Sequence, residues 1–248
     1  MLFDRKYKGY LIHLIFICYY TRQQRGGRDM MRKGKLKRLI SGVALSLLLI
    51  TNLIIPVWAE PSLSSDYYVL MDASTGQVLS SNNMNEGLAP AGLVKLMTAL
   101  IAIEENTVEG AFVDAELSVT GTALAPLSAE IRNIGLKSGE RIKLSDLIYG
   151  MLLVSANDAA NVIAESVGGS LEGFVAMMNQ RAVDLKLQNT YFVNANGLTV
   201  EGQKMSPYDT ALILKKAFEN TTFTEYFGKT LHTIAPTDLH REDRIINT

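Results

Sequence analysis

Hydrophobic and polar residues alternate between residues 64 and 83, which indicates a β-hairpin. Tyr67, Val69 and Met71 share one face of the first predicted strand. Residues 72–76 include the Asp, Ser, Thr and Gly residues that favour a tight turn, and a second strand begins directly afterwards.

The segment from 92 to 105 is apolar on nearly every helical face, so we expect a buried helix there. Four more helices are predicted from apolar spacing, capping residues and glycine stops, at 145–154, 158–167, 171–185 and 207–219. Ser170 and Ser206 are the predicted N-caps of the last two. The weakly patterned tail, 220–248, carries no prediction, so the sequence indicates a hairpin followed by a helical body.

Charge divides the chain into two parts. Residues 1–59 hold 11 of the 24 Lys and Arg but only two acids, Asp4 and Asp29. Residues 60–248 therefore carry 13 basic and 23 acidic side chains, a net charge of −10. Because nucleic-acid binding needs clustered positive charge, we expect no nucleic-acid partner.

The basic front end resembles an export signal. Within residues 30–59, a basic stretch at 32–38 precedes an apolar run at 39–57 and a small-residue cleavage pattern ending at Ala59. We therefore predict a secretory signal peptide, with an uncleaved membrane anchor as the alternative. The protein is then expected at the extracytoplasmic face of the bacterial membrane or in the cell wall, touching the membrane only through this segment.

Residues 1–29 fit no part of an export signal, and we interpret them as an upstream extension that is not translated. Two adjacent Gly codons at 26–27 could encode a ribosome-binding site before a start at Met30 or Met31. Cys18, the only cysteine, lies in this segment, so the predicted exported part has no disulfide and no thiol chemistry.

Candidate chemistry begins at Lys95. A serine three residues before a buried lysine shares its helical face, and the neutral amine can take the hydroxyl proton to make a nucleophile. Gly92 stands at that position instead. Judged by spacing alone, a helical lysine such as Lys95 is more often a surface residue whose aliphatic stem packs along its helix. Ser155 and Asn157 are a second candidate pair, although Ser-x-Asn alone also fits a polar turn between helices.

Lys95, Ser155 and Asn157 form a more specific pattern when the sequence segments around them are considered as well. The segments DYYVLMDASTGQVLSSNN, LAPAGLVKLMTALIAIE, GLKSGERIKLSDLIYGMLLVSANDAANVIAE and NTYFVNANGL follow one another in this order. From about residue 66 to 248 the chain resembles the serine-type D-alanyl-D-alanine carboxypeptidases, the low-mass penicillin-binding proteins that trim peptidoglycan stem peptides. The resemblance implies an α+β fold of the β-lactamase/transpeptidase type.

The family has three motifs: Ser-x-x-Lys, Ser-x-Asn and Lys-Thr-Gly. Carried over by position, Lys95 is the general base, Ser155 relays a proton, Asn157 holds the substrate peptide, and Gly92 occupies the nucleophile position. Glycine cannot form an acyl-enzyme. The resemblance implies a stem peptide ending in D-Ala-D-Ala as ligand, and β-lactams only if a nucleophile were restored.

The third motif is also absent. Lys137-Ser138-Gly139 resembles it but precedes Ser155, and Lys229-Thr230 is followed by Leu231. We expect the chain to stop short of this motif and of the C-terminal strands of the family's sheet. Only the front hairpin would then be present, and the helix at 92–105 would lose cover and expose an apolar patch.

Residues 60–248 are therefore predicted to be an incomplete carboxypeptidase-like domain, catalytically dead as written. The alternatives are a non-catalytic protein that binds stem peptides or envelope partners, a gene fragment without function and, less favoured, a class A β-lactamase. No cofactor or metal is expected. The histidines His13, His232 and His240 show no metal-binding pattern and are interpreted as surface residues.

Overall fold

The computed structural model describes residues 63–128 and 130–248. The predicted upstream extension, the signal peptide at 30–59, and His13 lie outside these residues. The described residues belong to one unit, Pro61–Thr248. Its seven helices among the described residues are α1 Val94–Glu105, α2 Gly121–Leu124, α3 Leu144–Val154, α4 Asn157–Gly168, α5 Leu171–Asp184, α6 Pro207–Ala217 and α7 Thr221–Phe227.

The strands of the described residues form four separate two-stranded antiparallel sheets. In chain order they are β1 Tyr68–Met71, β2 Val78–Asn82, β3 Thr107–Val108, β4 Ala111–Phe112, β5 Glu116–Ser118, β6 Arg141–Lys143, β7 Leu231–Ile234 and β8 Arg244–Asn247. Each odd-numbered strand pairs with the next even-numbered one.

The front hairpin confirms the sequence prediction. Strands β1 and β2 pair with Tyr68 opposite Asn82. Asp72 closes the turn, because its Oδ1 accepts hydrogen bonds from the backbone N–H groups of Ser74 at 2.9 Å and Thr75 at 2.8 Å. Gly76 then takes a left-handed backbone, with φ of +77°, that glycine adopts without strain.

Strands also form outside the front hairpin, in the tail for which the sequence carried no prediction. The tail folds into α7 and the β7–β8 hairpin, in which His232 lies opposite Ile246. Ile234 and Ile246 are buried in the core. Four-residue strands are too short for an alternating pattern to stand out in the sequence. No third strand pairs with β1 or β2 among the described residues, as expected.

Helix α1 lies at the centre of the domain. Every residue from Val94 to Ile103 is buried, and the helix contacts α3, α4, α5, α6 and α7. The prediction of a buried helix is therefore confirmed, whereas the expected apolar patch does not form. The tail helix α7, with buried Phe223 and Tyr226, supplies part of the cover that we had not expected.

The predicted helix caps form as expected. Ser170 Oγ accepts from the Gly173 N–H at 2.9 Å, and Ser206 Oγ accepts from the Asp209 N–H at 3.1 Å. Gly169, with φ of +72°, ends α4. Within the described part of the chain, no helix combines the length and apolar character needed to cross a membrane.

The two described histidines are not free surface residues, which corrects the sequence interpretation. His232 stacks on Tyr149 with ring centroids 4.0 Å apart, and its Nε2 lies 2.6 Å from Asp146 Oδ1. His240 donates from Nε2 to the Gly135 carbonyl at 2.7 Å. Both rings are held half-buried because a tertiary partner binds each one.

Glu140 ties the tail to the body of the domain. Its fully buried carboxylate accepts from Arg244 Nη2 at 2.6 Å, from Thr237 Oγ1 at 2.8 Å and from the Lys137 N–H at 3.0 Å. A second Glu–Arg pair, Glu116 with Arg141, is exposed. The two pairs provide a matched comparison of the same chemistry in different surroundings.

We predict that Glu140→Gln lowers the free energy of unfolding by about 3 kcal/mol, because it leaves the largely buried Arg244 guanidinium without its counter-charge. The control Glu116→Gln should cost less than ~1 kcal/mol, because that pair is solvated. Urea unfolding followed by circular dichroism measures both. Equal losses for the two variants would contradict this account of the tail.

Candidate active site

A tight turn places Gly92 directly before the helix that carries Lys95. A 3-10 turn, Ala91–Leu93, leads directly into α1, so Lys95 lies in the first turn of that helix. Lys95 is only 4% exposed, which excludes the interpretation as a surface lysine. Gly197 packs against the turn, and a Cβ there would fall 2.0 Å from the Ala91 carbonyl oxygen. Only glycine allows this approach.

Two acceptors hold the buried ammonium. Lys95 Nζ donates to Asn157 Oδ1 at 3.0 Å and to the backbone carbonyl of Asn196. Burial, with a smaller contribution from the positive charge of Arg132, lowers the pKa of Lys95 from 10.5 to about 8. The amine can therefore be neutral near physiological pH, as a general base must be.

Ser155 enters the site from a strained position. It ends α3 with φ of 58° and ψ of 36°, a left-handed backbone that is uncommon for a residue with a side chain. A Cβ built on Gly92 would lie 3.1 Å from Ser155 Oγ. The Ser-x-Asn segment therefore faces the nucleophile position, and the structure brings all four predicted residues together.

Asn157 is the first residue of α4 and joins the site to a loop. Its backbone N–H and its side-chain Nδ2 both donate to the Arg132 carbonyl, each at 2.9 Å. The neighbouring buried carboxylate of Asp158 accepts from the Ile134 and Leu136 N–H groups at 3.1 Å. The loop that carries Arg132 is thus fixed against the start of α4.

Asn196 and Arg132 were missed by the sequence predictions. Asn196 lies in the quoted segment NTYFVNANGL, but its contact with Lys95 uses a backbone carbonyl, which no side-chain pattern reveals. Its own amide is fixed, since Nδ2 donates to Asn161 Oδ1 at 2.9 Å and Oδ1 accepts from the Leu198 N–H at 2.8 Å. Arg132 lies in an irregular loop, and no motif or periodicity in the sequence marks it.

The two imperfect copies of the third motif lie elsewhere. Lys137 Nζ donates to the Leu239 carbonyl at 3.1 Å, in the loop that precedes β6. Lys229 precedes β7 and is exposed. Neither lysine is a hydrogen-bond partner of Lys95, Ser155 or Asn157 among the described residues.

The assembled site offers a titratable amine, a hydroxyl and a carboxamide around a position without a side chain. Covalent acyl transfer through position 92 needs a nucleophilic side chain there, and Gly92 supplies none. Within residues 63–128 and 130–248, no three His, Cys, Asp or Glu side chains come together as a metal site would require.

We predict that the Lys95 amine titrates near pH 8 and that Arg132→Gln raises its pKa, because a neighbouring positive charge is removed. Carbon-13 NMR of Cε-labelled lysine measures both, with Lys95→Met assigning the resonance.

The unfolded chain holds this proton up to about pH 10.5, so wild-type stability relative to Lys95→Met should rise between pH 8 and 10.5. A normal lysine pKa would contradict the burial.

Comparison with known proteins agrees with this geometry. Residues 57–238 match the family model described as D-alanyl-D-alanine carboxypeptidase. The chain is 36% identical over 160 residues to D-alanyl-D-alanine carboxypeptidase DacF of Bacillus subtilis, covering 64% of this chain and 40% of the relative. It is 35% identical over 159 residues to DacD of Escherichia coli, covering 62% and 40%.

Solved structures give the same fold. The D-alanyl-D-alanine carboxypeptidase DacD of Francisella tularensis aligns with a TM-score of 0.64 and 30% identity, covering 69% of this chain and 41% of that one. Penicillin binding protein 6B of Escherichia coli aligns with a TM-score of 0.65 and 30% identity, covering 76% and 61%. The predicted α+β fold class is confirmed.

The chain spans about 40% of the length of the curated relatives described above. The match to the family model nevertheless extends over most of the chain, including Gly92, Lys95, Ser155 and Asn157. The protein therefore belongs to the D-alanyl-D-alanine carboxypeptidase family.

Proposed function

We propose that this chain binds peptidoglycan stem peptides ending in D-Ala-D-Ala without forming an acyl-enzyme. One observation carries the proposal: Gly92, which has no side chain, occupies the position that faces Ser155 Oγ at the start of the Lys95 helix. The groups that would bind and orient a peptide remain in place around it.

The roles follow from the hydrogen-bond geometry. Lys95 would be the general base in a relative with serine at position 92, and here it has no hydroxyl to deprotonate. Asn157 holds Lys95 through Oδ1 and would orient the peptide at the edge of the site. Ser155 would relay the proton to the leaving amine. Loss of the nucleophile in a comparable serine enzyme costs on the order of 10⁶ in kcat, so no measurable turnover is expected.

β-lactams would likewise bind without covalent capture, because position 92 carries no nucleophilic side chain.

We further propose that residues 30–59 direct export and that residues 1–29 are not part of the translated protein. The domain would then act at the extracytoplasmic face of the membrane or in the cell wall. The N-terminal sequence of the protein recovered from the cell envelope tests export, since it should begin after Ala59. The N-terminal sequence of the unprocessed precursor tests the start, since it should begin at Met30 or Met31.

Two other interpretations remain as alternatives. A gene fragment without function would not need a cooperative fold, whereas α1 is buried along ten consecutive residues. A class A β-lactamase is disfavoured because the segment at 155–157 reads Ser-Ala-Asn in place of the usual Ser-Asp-Asn. Every curated relative named above carries the name D-alanyl-D-alanine carboxypeptidase.

We predict that Gly92→Ser alone does not restore penicillin labelling. The new hydroxyl would have the Lys95 base, but its Cβ would be crowded by Ser155 Oγ at 3.1 Å, and the 248-residue chain used in this test holds no Lys-Thr-Gly segment. Fluorescent penicillin followed by gel electrophoresis gives the result, with an active family member as positive control. A labelled band from the variant would show that the remaining groups suffice for acylation.

We also predict that the wild-type protein binds an N-acetylated peptide ending in D-Ala-D-Ala and returns it uncleaved. Asn157→Ala should weaken this binding about tenfold, because it removes a carboxamide that orients the peptide. Isothermal titration calorimetry measures the affinity, and chromatography of the recovered peptide measures cleavage.

The control ligand is the same peptide ending in L-Ala-L-Ala, which should bind more weakly. Cooperative thermal unfolding must accompany each titration, so that absence of binding is not confused with absence of fold. A folded protein that binds neither peptide would refute the binding proposal and favour a fragment without function.

A further inference from the structure

Arg132 is an exposed cation whose backbone is clamped at the edge of the site. Its carbonyl accepts both the N–H and the Nδ2 hydrogen bonds of Asn157, each at 2.9 Å. Since Asn157 also binds Lys95, Arg132 lies two hydrogen bonds from the buried amine. The position of this residue is therefore set by the site itself.

The loop around Arg132 is held from both sides. Asp158 accepts from the Ile134 and Leu136 N–H groups, and Arg244 Nη1 donates to the Ile134 carbonyl at 3.3 Å. A loop anchored in this way is already ordered before a ligand binds. Little conformational entropy of the loop is therefore lost on binding.

The guanidinium itself is free to bind. The side chain of Arg132 is exposed, and within the described residues it makes no hydrogen bond and no ion pair. Arg141, by contrast, is paired with Glu116, and Arg244 is paired with Glu140. Arginine without an internal partner at the edge of a ligand site is available for a carboxylate, which it can bind with two parallel hydrogen bonds.

Lys95 cannot provide this positive charge reliably. Its pKa of about 8 leaves part of the amine neutral near physiological pH, and its N–H groups already serve Asn157 and Asn196. Arginine stays charged at every physiological pH. In a body with a net charge of −10, a carboxylate ligand needs such a local cation to approach the site.

We propose that Arg132 is the specificity-determining residue that binds the terminal carboxylate of the peptide held at the Lys95–Asn157 site. This inference rests on the proposed peptide-binding function. It assigns recognition of the ligand's negative charge to the loop before β6.

The test measures the affinity of three arginine variants for each of two ligands. Arg132→Gln removes the charge, Arg132→Lys keeps it without the planar fork, and Arg141→Gln is the matched control. Arg141 lies beyond the other end of α3 from Ser155, about 16 Å away along the eleven-residue helix. The ligands are one N-acetylated peptide ending in D-Ala-D-Ala, as the free acid and as the C-terminal amide, titrated by calorimetry.

We expect the wild-type protein and Arg141→Gln to bind the acid about tenfold more tightly than the amide. Arg132→Gln should bind acid and amide alike, and Arg132→Lys should retain part of the preference. Thermal stability should not fall in Arg132→Gln, because the backbone of residue 132 keeps its structural hydrogen bonds and removal of the charge beside Lys95 acts in the stabilising direction.

The outcomes separate the two proposals. If the wild-type protein binds both ligands equally, or if Arg132→Gln keeps the preference for the acid, the role of Arg132 is overturned while peptide binding stands. If the folded wild-type protein binds neither ligand, peptide binding and the role of Arg132 both fail.

Discussion

The burial of the Lys95 ammonium is the constraint on which the site depends. Removing such a charge from water costs on the order of several kcal/mol unless hydrogen bonds replace the hydration. The replacements come from segments far apart in the chain, the Asn157 carboxamide at the start of α4 and the Asn196 carbonyl. Satisfying one lysine therefore forces three parts of the domain to converge.

This convergence also explains why the site can persist without its nucleophile. The hydrogen bonds of Lys95, Asn157 and Asn196 do not involve any atom of the side chain expected at position 92. Position 92 carries no side chain, while the hydrogen-bonded scaffold around it remains connected. Loss of covalent chemistry and retention of ligand binding are thus compatible in the same structure.

Local signals allowed much of the fold to be predicted from the sequence. Asp72 and Gly76 marked the first turn, Ser170 and Ser206 marked helix starts, and the apolar run at 94–103 marked the central helix. The same reasoning missed β7 and β8, whose strands are short and depend on burial of Ile234 and Ile246.

The site could be predicted only in part, for a related reason. Lys95, Ser155 and Asn157 were found because their residue types follow a known motif order. Asn196 and Arg132 are connected to the site through their backbone carbonyls, which every residue possesses, so only tertiary structure reveals these connections. The half-buried state of His232 likewise comes from its stacking on Tyr149, which lies 83 positions earlier in the chain.

The central claim is that the site has lost covalent chemistry and kept its framework. The most direct measurement is the intact mass of the wild-type protein after prolonged exposure to benzylpenicillin, with an active relative treated in parallel. The account predicts an unchanged mass for this protein and an acylated mass for the relative. A stoichiometric adduct on the wild-type chain would show that another side chain acts as the nucleophile, and the account would be wrong.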